Sequence, residues 1–164
     1  LTMREHLGGL EGAKVAICGD VMHSRVARSN IYGLTTMGAK VVLCAPPTLI
    51  PPRMDELGCA IAPTIEDACE NADVVMGLRI KRERQQKGLF PSVAEYCDHW
   101  EITPERLALA KKDALVMHPG PMNRGVEIAS SVADCGQSVI TQQVESGVAV
   151  RMALLYMLTR RENV

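Results

Sequence analysis

Short apolar runs, each closed by a glycine, a proline or a polar residue, recur along this chain with helix-length segments between them. Residues 13–18, 40–45, 72–78 and 113–118 carry such runs, and residues 60–62 form a briefer one. Runs of this length that are apolar on both faces read as buried parallel strands. Residues 24–37 read as a helix, with Ser24 as its N-cap and Gly38 as its stop. Shorter helices are expected at 54–57, after the Pro51-Pro52 pair, and at 64–71, capped by Thr64. Two more are expected from Pro91 onward and at 103–110, behind Thr103-Pro104-Glu105. Past the last strand, 138–146 and 148–160 read as two helices interrupted at Gly147. Strands alternating with helices, short connections and no hairpin signal predict a doubly wound parallel α/β sheet, a Rossmann-like three-layer sandwich.

Length and composition narrow the classes. With 164 residues the chain suits one domain, and residues 1–164 are read as a single unit. A formal net charge of −1 and 3% aromatics offer no basic or stacking platform for nucleic acid. No apolar run approaches the roughly 18 residues of a membrane span. The six cysteines form no CxxC pair, and Cys18, Cys44 and Cys69 sit inside apolar or helical patterns. They read as reduced core residues of a cytoplasmic protein, with no disulfide or metal framework.

Two stretches do not suit a self-contained domain. Leu1 to Leu10 has apolar residues at 3, 7 and 10, with Gly8-Gly9 ending the turn, and reads as the tail of a helix. Residues 148–158 are apolar nearly all round, with Arg151 the only charge, and such a helix should be covered on every face. Both predict that the chain is one domain of a longer, originally two-domain protein.

Ligands of an open parallel sheet bind beyond the carboxyl ends of its strands, and three polar groups lie there. Asp20-Val-Met-His-Ser-Arg25 follows the first strand, Arg79 and Lys81 follow the fourth, and His118-Pro-Gly-Pro121 follows the fifth. Each alone also suits an ordinary surface charge or loop. Together they set two guanidinium groups beside a rigid turn. Guanidinium forks match carboxylate or phosphate oxygens bidentately, so paired arginines suit a small dianion. Pro119 and Pro121 fix φ and end the strand, and Gly120 permits close backbone approach. The carbonyls of Gly120 and Pro121 can accept hydrogen bonds from an amide or amine. Residues 79–88, with five basic residues and one acid, otherwise read as a solvated loop or helix face.

Competing sites fit less well. Cys18-Gly-Asp-Val-Met-His-Ser-Arg lacks the G-x-G-x-x-G spacing of a dinucleotide fold, so no nicotinamide or other cofactor is expected. A Cys–His or Ser–His nucleophile at Cys18, His23 and Ser24 is disfavoured because Cys18 sits in a buried strand.

These strings resemble the carboxyl-terminal, aspartate-binding domain of the aspartate transcarbamoylases. The likeness rests on Gly19-Asp20 with His23-Ser-Arg-Val-Ala-Arg-Ser-Asn30, on Leu78-Arg-Ile-Lys-Arg-Glu-Arg84, and on His118-Pro-Gly-Pro-Met-Asn-Arg-Gly-Val-Glu-Ile128. Gln142-Gln-Val144 and Gly147-Val-Ala-Val-Arg-Met-Ala153 extend it over nearly the whole chain. Ornithine transcarbamoylases typically carry His-Cys-Leu-Pro where this chain has His118-Pro119-Gly120-Pro121, and a loop not seen here. The resemblance implies that Arg25 and Arg79 grip the carboxylates of L-aspartate, with Lys81 beside them where the family commonly has glutamine. It implies that Gly120 and Pro121 receive the carbamoyl amide of carbamoyl phosphate, supported by His118, Arg124 and Glu127. It further implies an amino-terminal carbamoyl-phosphate domain, a homotrimer and a role in pyrimidine synthesis. A non-catalytic amino-acid-binding module derived from the family is the rival expectation.

Overall fold

The computed structural model describes residues 1–81 and 92–160. At its centre lies a five-stranded sheet: β1 (Lys14–Gly19), β2 (Lys40–Cys44), β3 (Ala60–Ile61), β4 (Val74–Leu78) and β5 (Leu115–Met117). The strand order is β3-β2-β1-β4-β5, and every neighbouring pair is parallel. The strands occupy the apolar runs in the expected sequence order.

Side chains alternate across a strand, and the two faces of this sheet feed two different cores. Val15, Ile17, Leu43, Met76 and Leu78 pack with Ile31 and Leu34 of α2 (Arg25–Thr36). Ala16, Cys18, Cys44, Val75 and Val116 pack on the other face with Ile65, Ala68 and Cys69 of α3 (Ile65–Cys69). The second face is built from smaller residues, which lets the short α3 lie close to the strands. Helices on both faces of a parallel sheet make the doubly wound sandwich that the alternation predicts.

The remaining helices are α1 (Thr2–Leu7), α4 (Val93–Trp100), α5 (Pro104–Leu107), α6 (Ser130–Ala133) and α7 (Ile140–Thr159). The expected caps are in place. Ser24 Oγ accepts the Ala27 N–H at 3.1 Å, Thr64 Oγ1 that of Asp67 at 3.1 Å, and Thr103 Oγ1 that of Arg106 at 3.4 Å. Gly8, left-handed at φ 72°, ends α1. The expected break at Gly147 is absent, because α7 runs unbroken from Ile140 to Thr159. Glycine inside a helix costs only about 1 kcal/mol relative to alanine and keeps its N–H, so it weakens a helix without ending one. The helix expected at 64–71 stops at Cys69, before Asn71 at φ 54°. The charged stretch expected to be solvated falls, after Lys81, outside the described residues.

The strand order reverses between β1 and β4, since β1 connects onward to β2 on one side while β4 lies on the other. Such a switch point opens a crevice at the carboxyl ends of the strands. Gly19 and Leu78 are register partners there, so the loops leaving β1 and β4 start side by side with Asp20 and Arg79. Gly19 has φ 124°, and a Cβ at this position would meet the Leu78 carbonyl oxygen at 2.4 Å. Only glycine lets the two strand ends approach this closely. Gly19→Ala is expected to lower unfolding stability by about 2–3 kcal/mol, read as a shifted denaturant midpoint. An unchanged midpoint would show that the strand ends relax freely.

Candidate functional site

The first wall of the crevice grows from the end of β1. Asp20 is fully buried, and its carboxylate accepts the His23 main-chain N–H at 3.1 Å and lies 2.9 Å from His23 Nδ1. This pair folds the residues after β1 back on themselves and delivers Ser24 to its capping position. The cap starts α2 at Arg25, which is exposed in the first turn of the helix. A helix amino terminus carries unpaired N–H groups and a favourable field for anions, the same preference as the guanidinium itself.

The second wall is the segment leaving β4. Arg79 is half-buried, Ile80 is fully buried and Lys81 is half-buried. The Lys81 N–H points to Asp20 Oδ2 at 3.5 Å, and its ammonium donates to the His23 carbonyl. Lys81 therefore ties the two walls together. Its charge is engaged with a main-chain oxygen of the segment that leads to Arg25.

The third wall is the turn after β5. His118 is fully buried, and its ring lies over Gly77, where a Cβ would come within 3.1 Å of its Cδ2 atom. A side chain at position 77 would displace the imidazole. His118 donates its main-chain N–H to Gln143 Oε1 at 2.9 Å, and its Nδ1 accepts the Gly120 N–H at 2.9 Å. Because Nδ1 is the acceptor, the ring proton sits on Nε2, 3.3 Å from Glu127 Oε1. The ring thus holds the turn from inside. Gly120 sits at φ 64°, a conformation suited to glycine, and Pro121 is exposed.

Arg25, Arg79, Lys81, His118, Gly120 and Pro121 accordingly all lie in segments that leave the carboxyl ends of β1, β4 and β5. Arg124 does not join them in the expected way. Its guanidinium makes a bidentate pair with Asp134, at 2.6 and 2.8 Å, and holds that carboxyl below the usual carboxylate range. It braces the loop against the end of α6. Cys18 is buried beside Cys44 and Cys69, whose thiols, together with burial, push the Cys18 thiol well up. A protonated, inaccessible thiol is no nucleophile.

Asp20, His23, Asn123 and Gln143 are the polar residues whose part in the site sequence reasoning did not assign. A signal existed for Asp20, since an acid directly behind a buried strand is costly unless it is satisfied. Nothing in the sequence indicates that Asn123 Nδ2 reaches the Ile80 carbonyl, at 3.0 Å across 43 residues. Among the described residues no cluster of three metal-ligating side chains occurs, and no helix is long and apolar enough to cross a membrane.

Comparison with known proteins gives consistent results. Residues 11–158 match the family model described as aspartate/ornithine carbamoyltransferase, Asp/Orn binding domain. The aspartate carbamoyltransferase catalytic subunit of Moorella thermoacetica is 61% identical over 162 residues, covering 99% of this chain and 53% of the relative. That of Acetivibrio thermocellus is 57% identical over 99% of this chain and 52% of its own length. The chain therefore spans about half the length of the curated relatives it matches. Among solved structures, ornithine carbamoyltransferase from Burkholderia thailandensis superposes with a TM-score of 0.78 at 27% identity, over 96% of this chain and 51% of that one. The enzyme from Thermus thermophilus reaches 0.82 at 20% identity, over 97% and 52%, a likeness of fold alone.

Proposed function

We propose that this chain, which belongs to the aspartate/ornithine carbamoyltransferase family, is the L-aspartate-binding half of an aspartate carbamoyltransferase. The observation that supports the reading is that the segments carrying Arg25, Arg79 and the Gly120–Pro121 turn leave the carboxyl ends of the parallel strands β1, β4 and β5, beside the switch point between β1 and β4. Two guanidinium forks suit the two carboxylates of aspartate, and the carbonyls of Gly120 and Pro121 suit the amide of a carbamoyl group. Relatives at 57–61% identity named as aspartate enzymes favour this over a non-catalytic module.

In this reading the aspartate amine attacks the carbamoyl carbon of carbamoyl phosphate. The C–N bond forms, a tetrahedral intermediate collapses, the C–O bond to phosphate breaks, and the amine gives up a proton. The products are N-carbamoyl-L-aspartate and phosphate, a step of pyrimidine synthesis. Arg25 and Arg79 fix the nucleophile, while Gly120 and Pro121 fix the electrophile. Rate then comes from orientation and from donors aimed at developing charge, with no covalent enzyme intermediate. Lys81, held on the His23 carbonyl, keeps the two arginine-bearing segments in register and spares the amine a free ammonium neighbour.

With Arg25 and Arg79 assigned to aspartate, carbamoyl phosphate needs further phosphate-binding groups, and the proposed source is an amino-terminal domain. The exposed apolar surface of α7 is the proposed seat of that domain. A homotrimer and a cytoplasmic location complete the proposal. The test is to supply the full-length protein with carbamoyl phosphate and either amino acid. The expected product is N-carbamoyl-L-aspartate, with L-ornithine left unreacted. Citrulline formation would assign the site to ornithine, and inactivity with both would favour the non-catalytic module.

A further inference from the structure

Glu127 is 1% exposed and carries no cationic partner among the described contacts, yet N–H groups surround it. Its Oε1 accepts the Asn123 main-chain N–H at 2.5 Å, and its Oε2 accepts Asn123 Nδ2 at 3.1 Å and the Ile80 main-chain N–H at 3.4 Å. His118 Nε2 stands 3.3 Å from Oε1, outside full hydrogen-bond alignment. Asn123 Nδ2 also donates to the Ile80 carbonyl, so both main-chain polar groups of Ile80 are held by the loop after β5. Ile80 is the residue next to Arg79. His118 in turn accepts the Gly120 N–H.

A buried carboxylate is expensive to keep, and a side chain that merely filled this space would serve packing as well. What an acceptor-only group adds is a fixed distance between two segments that reach the crevice separately. One carries Arg79, and the other carries the Gly120–Pro121 carbonyls. We infer that Glu127, with Asn123, is a positioning clamp that sets Arg79 against the Gly120–Pro121 turn and so aligns the aspartate amine with the carbamoyl carbon. This inference rests on the aspartate carbamoyltransferase reading.

Glutamine at 127 keeps the volume but turns an NH₂ group toward a shell of donors, so at least one bond is lost and one N–H meets another. Displacements of about 1 Å at a reacting pair cost on the order of a hundredfold in rate. In the full-length protein, Glu127→Gln is therefore expected to cut kcat/KM for aspartate by roughly ten- to a hundredfold. Both kcat and the aspartate KM should worsen, while the carbamoyl phosphate KM stays close to wild type. Asn123→Ala, at a half-buried position, removes only the side-chain bonds to Ile80 and Glu127, and it should show the same pattern at smaller size.

A lowered melting temperature with unchanged aspartate constants in both variants overturns the clamp and leaves the underlying reading intact. If Glu127→Gln does not fold, Asn123→Ala alone decides by the same comparison. A wild-type protein that carbamoylates no aspartate overturns the underlying reading itself, and the clamp falls with it.

Discussion

Alanine at position 79 is expected to raise the aspartate KM of the full-length protein by roughly a hundredfold. A bidentate guanidinium–carboxylate contact is worth about 3 kcal/mol when its removal strands the partner, and each 1.4 kcal/mol is a factor of ten. Arg79 is half-buried at the mouth of β4, beside the fully buried Ile80, so a carboxylate bound there is partly withdrawn from water and cannot easily recover the loss by hydration. The effect should fall mainly on KM, because the arginine grips a part of the substrate that does not react. Arg79→Lys keeps the charge and loses the planar fork, so it should lie between wild type and alanine. Steady-state kinetics with varied aspartate at saturating carbamoyl phosphate make the comparison. An unchanged KM and kcat in Arg79→Ala would remove this residue from the site.

Arg79 also shows what the sequence could and could not convey. Its place behind a buried apolar run was enough to set it at a strand's carboxyl end, because parallel strands in a doubly wound sheet all end on the same side. The same logic located Arg25 and the His118 turn, and the Ser24 cap followed from residue type alone. Distance between segments was beyond that logic. The Asp20–Lys81 and Glu127–Ile80 contacts link residues 61 and 47 positions apart, and no local periodicity encodes them. The resemblance implies a supporting role for Arg124 in the turn, and its guanidinium pairs with Asp134, ten residues on, a contact that no local pattern encodes. Gly147 illustrates a related limit. Local propensity marks it as a weak point, while the twenty-residue helix around it has enough hydrogen bonds to carry it.

Lys81 shows the same limit in a form that bears on chemistry. The resemblance places its ammonium where it could either oppose the substrate amine or pair with a carboxylate. The structure turns that group onto the His23 carbonyl, while its own N–H faces the buried Asp20. A cation held this way ties the segments leaving β1 and β4 together, and in the proposed reading its charge complements the carboxylates of aspartate. In the proposed reading, holding the two segments in this way prepares the site before substrate arrives, the form of preorganisation that positioning catalysis needs.

The largest effect of all should come from separating this chain from its proposed amino-terminal half. Alone, it is expected to give no measurable N-carbamoyl-L-aspartate, because in this reading the described cations of the crevice, Arg25 and Arg79, are taken up by aspartate and leave the phosphate of carbamoyl phosphate to the other half. Adding the proposed amino-terminal half should restore turnover, and α7 is where the two should meet. Met152, Leu155, Met157 and Leu158 are 65%, 58%, 71% and 82% exposed, on a helix with apolar residues around its circumference. Covering each such side chain is worth roughly 1–2 kcal/mol, enough in sum to hold two domains in one orientation. Aspartate in place of both Met152 and Leu155 should therefore leave the thermal melt of the chain alone nearly unchanged, since neither side chain is packed within it. The same pair of substitutions should abolish reconstitution, because docking would bury two carboxylates in an apolar seam. Turnover by the unpartnered chain would refute the half-site. Undiminished reconstitution by the doubly substituted chain would place the contact elsewhere than on α7.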